Sequence, residues 1–174
     1  MTDLLSSLLS TLDEQRRRVL QTLDGLPDEA TTGSMIPSGW APLGVIRHLT
    51  IDVEHFWFQG VVAGEALDLP TDDDVWHPTP WPARQLVVNE YQAAAARSDD
   101  IIRATPLDAL PSTQALSAYP WAPRRSLLAT VLHVITETAA HAGHLDIARE
   151  LIDGRQNLVL TDFTGPDARG LDRS

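Results

Sequence analysis

Residues 127–154 have the sequence LLATVLHVITETAAHAGHLDIARELIDG, in which apolar side chains recur every three or four positions. This spacing is that of an amphipathic α-helix, not of a β-strand. It predicts a helix from Arg124 to about Ile152. The helix ends at Asp153–Gly154, because glycine readily adopts the left-handed conformation that closes many helices.

Three earlier stretches show the same periodicity and are predicted to form helices 1, 2 and 3, with the stretch above as helix 4. They cover residues 3–24, about 42–63, and 82 or 83 to about 104. Gly25 and Pro27 end the first, and Pro42 suits the first turn of the second. No segment has the alternating pattern of a β-strand, and the sequence contains no internal repeat. The sequence therefore predicts an all-α four-helix bundle.

The segments between these helices are predicted to be irregular. Residues 31–39 are polar, and residues 64–82 and 105–123 are rich in proline. The 64–82 crossover is long enough to recross the bundle, so helices 2 and 3 can run parallel and helix 2 antiparallel to helix 4. We predict one bundle domain over residues 1–154 and a polar tail over residues 155–174.

Charge and composition exclude several classes of protein. The chain has 24 acidic and 13 basic residues, and every basic residue is arginine. A net charge of −11 argues against nucleic-acid binding, which needs a basic surface. The run Arg16–Arg18 is predicted to be a solvated helix face. Since the chain has no cysteine, any thiol that takes part in its chemistry must arrive as a ligand.

The N-terminal region does not resemble a signal peptide, because Asp3 and several polar residues interrupt its short apolar stretch. Nor does any stretch approach the roughly 20 apolar residues of a membrane span. We therefore expect a cytoplasmic protein.

Helix 4 carries four potential metal ligands on one stripe. His133, Glu137, His141 and His144 project within about 80° of one another at ~100° per residue. A lone histidine on such a face is usually a hydrogen-bonded core residue. Burying several imidazoles and carboxylates without a partner costs a few kcal/mol for each unsatisfied group, and a bound cation removes that cost.

Helix 2 carries a second stripe, in which His48, Asp52 and His55 lie at i, i+4 and i+7 and are predicted to share a face. Only neighbouring pairs on helix 4 can share an ion, because His133 and His144 are about 16 Å apart along the axis. With antiparallel helices matched at their centres, His48 is level with residue 141.

This register favours Glu137 and His141 as ligands, with His48 completing the set. Three nitrogen and oxygen ligands leave a coordination position for water or substrate, as in catalytic sites. The other polar residues have lesser predicted roles. Asp52 can accept a hydrogen bond from His48 and fix its tautomer.

Asp52, His55 and His144 are candidates for moving a proton or supporting the ligands. His133 is predicted to be structural, and Glu54 to be an interhelix or surface partner. Trp76 and Trp121 are candidates for the mouth of a binding pocket. Arg124 and Arg125, at the start of helix 4, are expected to form a salt bridge or to meet an anionic ligand.

Two segments resemble the signature helices of the DinB-like superfamily, especially its actinobacterial branch. They are WAPLGVIRHLTIDVEHFWF (Trp40–Phe58) and residues 127–154, whose ending HAGHxDIxRExIDG is specific. The resemblance covers most of residues 1–154. It implies a four-helix bundle with a helix 2 to helix 3 crossover, a divalent metal ion, commonly zinc or nickel, and frequent homodimers.

Many relatives bind the ion through one histidine on helix 2 and two on helix 4. Glu137 stands at the first helix 4 position here. That departure resembles mycothiol-dependent maleylpyruvate isomerase, whose ligand set of His, Glu and His falls on His48, Glu137 and His141. The resemblance implies a low-molecular-weight thiol, of the mycothiol type, as cosubstrate.

The leading hypothesis is therefore a metal-dependent thiol S-transferase or detoxification enzyme acting on a small electrophile. Two alternatives remain at this point. The first is a hydrolase that uses metal-bound water. The second is a non-catalytic binding or stress-response module in which the ion stabilises the bundle.

Overall fold

The computed structural model describes residues 2–156, and this part of the chain contains helices and no strand. The all-α prediction is confirmed. The helices in chain order are α1 (Thr2–Gln21), α2 (Asp28–Thr32), α3 (Pro42–His48), α4 (Asp72–Trp76), α5 (Arg84–Ala104), α6 (Thr113–Ala118) and α7 (Leu127–Asp153). A π-helical segment, Leu49–Val62, continues directly from α3.

The predicted helices 1 to 4 correspond to α1, to α3 with the π segment, to α5 and to α7. Helix 4 begins three residues later than predicted, because the Ser126 side chain caps it by accepting a hydrogen bond from the Ala129 amide. Arg124 and Arg125 therefore precede the helix. The guanidinium of Arg125 lies 5.2 Å from the centre of the Trp57 ring, and within the described residues neither arginine forms the expected salt bridge.

The other end of α7 is as predicted, since Gly154 has a φ of 76° in the left-handed region. The irregular segments are not wholly irregular. Three short helices, α2, α4 and α6, lie in or beside them. In α4 and α6 a hydroxyl side chain, Thr71 or Ser112, caps the first turn and satisfies one of the amides left free at the start of the helix.

The π segment changes which residues share a face. The Ala63 amide donates to the Phe58 carbonyl, five residues back, at 2.9 Å. Bonding of this kind widens each turn, so that seven residues no longer complete two turns. The prediction that His55 shares a face with His48 and Asp52 is therefore wrong, as the cavities described below also indicate.

The direction of the helices follows from contacts at two levels. The ring of His48 lies 4.9 Å from that of His141, and the ring of Trp57 lies 4.8 Å from that of His133. Residue numbers rise along one helix and fall along the other, so the π segment and α7 are antiparallel. The predicted register of His48 opposite residue 141 is confirmed.

The π segment and α5 run parallel, as the length of the crossover predicted. His55 and Glu90 line one cavity, and Glu65, which lies just beyond the end of the π segment, forms an ion pair with Arg97, further along α5. Apolar residues from all four long elements fill the centre of the bundle, including Leu12, Phe58, Ile102 and Val131. Burial of this continuous core is the main stabilising contribution to the fold.

One ion-pair network is also buried in the bundle, and we call it the Arg16 cluster: Arg16, Glu54 and Asp99. The guanidinium of Arg16 donates to both carboxylate oxygens of Glu54 at 2.7 and 2.8 Å and to Asp99 at 2.7 Å. Arg16 is 5% exposed and Glu54 1%. Glu54 is an interhelix partner as predicted, but the solvated face predicted for Arg16 is wrong.

No helix in the described part of the chain is both long enough and apolar enough to cross a bilayer. Most of the predicted polar tail lies outside the described residues, so the division at residue 154 stays a prediction.

Candidate metal centre

Three side chains from two distant stretches of sequence converge between the start of the π segment and α7. His48 is the last residue of α3, while Glu137 and His141 lie one turn apart on α7. One ligand-type atom from each residue lies within 4.8 Å of the others. Each side chain is partly buried, and that of Glu137 is the most exposed, at 40%.

His48 is held on two sides. Its Nδ1 lies 2.8 Å from Oδ2 of Asp52, the hydrogen bond expected from their spacing. With Asp52 ionised, Nδ1 carries the proton, and the lone pair of Nε2 is free to bind a metal ion. The Trp76 ring stacks on the imidazole, with centroids 4.7 Å apart and an interplanar angle of 22°.

His141 is the most strongly perturbed histidine of the site. Burial first, and then the charges that His48 and His144 would carry, lower its pKa to about 4, against a smaller opposing effect of Glu137. The ring is therefore neutral at pH 7, the state that a metal ion requires. Its Nδ1 is buried and has no hydrogen-bond partner among the described residues.

Glu137 lies between two histidines of its own helix. Its Oε2 is 3.8 Å from Nε2 of His141, and its Oε1 is 4.0 Å from Nε2 of His133. His133 also meets the edge of the Trp57 ring. The second carboxylate oxygen therefore faces a histidine that the sequence predicted to be structural.

His144 lies beside the three converging residues. Its ring centroid is 5.4 Å from that of His141 and 6.4 Å from that of Trp40. The residue is exposed. It also lines a cavity of about 470 Å³ whose other walls include Gly143 and Ile147.

Two other predicted site residues lie elsewhere. His55 lines a cavity of about 380 Å³ with Arg47 and Glu90, on the side of the π segment that faces α5. Trp121 is 69% exposed, and its ring contact is with Tyr119. The structure does not bring either residue to the converging histidines, whereas Trp76 touches one of them directly.

Sequence reasoning missed the residues that hold Trp76 in place. Arg47 donates to the backbone carbonyls of Asp74 and Val75 in α4 at 3.0 and 3.1 Å. Gly44 approaches the Trp76 carbonyl so closely that a Cβ would lie 2.8 Å from its oxygen. No signal could have predicted these contacts, because their acceptors are backbone atoms of a segment distant in the sequence.

The residues fit a divalent cation. Two imidazoles and a carboxylate form the donor set found in catalytic zinc sites and in sites for other first-row metals. One imidazole is neutral, and the other is oriented by a carboxylate, as is usual for metal-bound histidine. The unpartnered Nδ1 of His141 leaves a polar group that the described residues do not satisfy.

Fold and site together define the class: a DinB-like all-helical bundle with a possible His–Glu–His metal site. Residues 7–154 match the sequence model of the family described as mycothiol-S-transferase. The chain belongs to this family, which is part of the DinB-like superfamily. Comparison with curated proteins and with solved structures found no match.

Proposed function

We propose that this chain is a divalent-metal-dependent transferase that joins a low-molecular-weight thiol, of the mycothiol type, to a small electrophile. His48, Glu137 and His141 hold the ion, zinc or nickel. The observation that carries the proposal is the approach of their ligand-type atoms to within 4.8 Å, in a member of the mycothiol-S-transferase family.

A divalent ion, when bound, lowers the pKa of a thiol that contacts it and so favours thiolate at neutral pH. The chain has no cysteine, so the reacting sulfur must belong to the substrate. Asp52 keeps the proton of His48 on Nδ1. Trp76 covers one face of the same ring and excludes water from it.

His144 accepts the proton that the thiol loses, at a nitrogen of its imidazole. Its exposure and its 5.4 Å approach to His141 support this role. An exposed imidazole can pass the proton on to solvent, as general-base catalysis requires. The sulfur then forms its bond to carbon of the electrophile, and the leaving group departs.

The test uses untagged protein, so that no added histidines bind metal. We expect elemental analysis to find about one zinc or nickel ion per chain. With 1-chloro-2,4-dinitrobenzene as electrophile, we expect thioether and chloride to form only when mycothiol is added. Turnover without thiol would indicate hydrolysis and would overturn the thiol assignment.

A matched pair of variants on α7 separates the site from general effects of charge. Glu137→Gln should lower metal affinity by about 100-fold or more, because it removes a ligand. Glu150→Gln makes the same change at an exposed position near the C-terminal end of α7 and should leave metal content unaltered. Equal metal content in both variants would contradict the assignment of Glu137.

A further inference from the structure

We infer that Arg47 and Trp76 are positioning residues that hold the imidazole of His48 ready for the ion. The inference deepens the proposed function and rests on it. The short helix α4 carries Trp76 to the site, and Arg47 fastens α4 to α3.

Helix α4 cannot be stable by itself. It has five residues, and isolated helices shorter than about 12–15 residues are marginal in water. Its hydroxyl cap at Thr71 satisfies one amide, and its one fully buried side chain is Val75. The position of α4 therefore depends on how it docks against its neighbours.

Arg47 supplies the docking contact. Its Nε donates to the carbonyl of Val75 and its Nη2 to the carbonyl of Asp74, at 3.1 and 3.0 Å. These carbonyls lie near the C-terminal end of α4, where the helix dipole favours a cation. Because the planar guanidinium makes both bonds at once, it fixes orientation as well as distance.

Gly44 allows the backbone of α3 to approach the end of α4 closely. A Cβ at this position would lie 2.8 Å from the Trp76 carbonyl oxygen and 3.6 Å from the Trp76 side chain. Separations under about 3 Å do not occur for real Cβ atoms, so a larger residue would push α4 away. The backbone of α3 and the end of α4 thus touch without an intervening side chain.

His48 follows Arg47 directly in α3, and the docking of α4 places the Trp76 ring against its imidazole. Asp52 fixes its ring at the Nδ1 edge, and Trp76 fixes its face at 4.7 Å. The ring retains little freedom to turn, and Nε2 remains the available nitrogen. An imidazole that is already oriented loses less conformational entropy when it binds an ion.

The test measures zinc affinity by calorimetry for the wild type, Trp76→Ala and Trp76→Phe. We expect Trp76→Ala to weaken zinc binding by about tenfold, the lower end for residues that support a metal ligand. Trp76→Phe retains an aromatic face and should recover most of that loss. A merely structural role would not distinguish the two variants through zinc affinity while both stay folded.

Arg47→Ala provides a second route that leaves the Trp76 side chain intact. We expect a loss of similar size, about tenfold, with Arg47→Lys intermediate because an ammonium lacks the planar fork. Arg17→Ala is the control, because it removes an arginine of α1 whose side chain is 61% exposed and does not contact α4 or His48. Circular dichroism establishes that each variant is folded.

Tryptophan fluorescence reports on the stacked pair directly. Zinc added to the wild type should change the emission, and Trp76→Phe should abolish most of that change while retaining affinity. Trp121→Ala should leave the change in place. Unaltered zinc affinity in folded Trp76→Ala and Arg47→Ala would overturn this inference alone, whereas a wild type that binds neither zinc nor nickel would overturn the proposed function as well.

Discussion

Two polar clusters include residues of the segment between Pro42 and Val62. The Arg16 cluster faces α1 and α5, and its guanidinium makes three hydrogen bonds of 2.7–2.8 Å to two carboxylates. The cluster of His48, Glu137 and His141 joins this segment to α7, and one of its buried nitrogens has no hydrogen-bond partner in the part of the chain that the structure describes.

The two clusters differ in how completely their polar and charged groups are paired within the protein. Burial by itself would lower the pKa of Arg16, but Glu54 and Asp99 outweigh it and raise the pKa above its usual value. In the histidine cluster no residue outweighs burial, and the pKa of His141 falls. A cluster whose charges are satisfied internally has no need of an external ligand, whereas an unsatisfied cluster is available to one.

The largest expected effect is in the Arg16 cluster. Glu54→Ala should lower the free energy of unfolding by about 3–5 kcal/mol, because it leaves the Arg16 charge buried beside only Asp99. Urea denaturation measures this change. Asp13→Ala breaks the exposed ion pair between Asp13 and Arg17 on α1 and should lower the free energy of unfolding by less than about 1 kcal/mol. A loss from Glu54→Ala no larger than that of Asp13→Ala would contradict the comparison.

The second effect should leave the fold intact. His48→Ala should weaken zinc binding by about 100-fold or more. It should lower the unfolding free energy of the metal-free protein by only about 1–2 kcal/mol, because it removes one hydrogen bond to Asp52 and one ring contact with Trp76 but leaves no buried charge unpaired. Calorimetry and urea denaturation measure the two quantities. If the variant were unfolded, the ion would be acting mainly to stabilise the bundle.

The smallest effect depends on pH. In metal-free protein the pKa of His141 is about 4 when folded and near 6.5 when unfolded. The unfolded chain therefore binds more protons in this range, and stability present above pH 6.5 is lost as the pH falls towards 4.

Solvent still reaches part of the ring, so the loss should be about 1–2 kcal/mol. Urea denaturation at pH 7 and pH 4.5 measures it in the presence of a chelator. His141→Gln should flatten the dependence, whereas His77→Gln, at an exposed position, should leave it unchanged. If the pH dependence of stability persisted in His141→Gln, it would arise from titration of other groups.

Much of the architecture could be predicted from the sequence alone. Apolar periodicity and breakers located four long helices, and the left-handed end of α7 followed from Gly154. The spacing of Glu137 and His141, with the register of antiparallel helices, also predicted that His48 would meet them. These features depend on local geometry, which residue spacing encodes directly.

Other features were decided only by tertiary structure. The change from α- to π-helical bonding after His48 moved His55 to another face, and periodicity at 3.6 residues per turn cannot reveal such a change. Arg16 is buried because Glu54 and Asp99, from two other helices, surround it. Trp76 reaches His48 because Arg47 binds backbone carbonyls, and backbone acceptors are the same in every sequence.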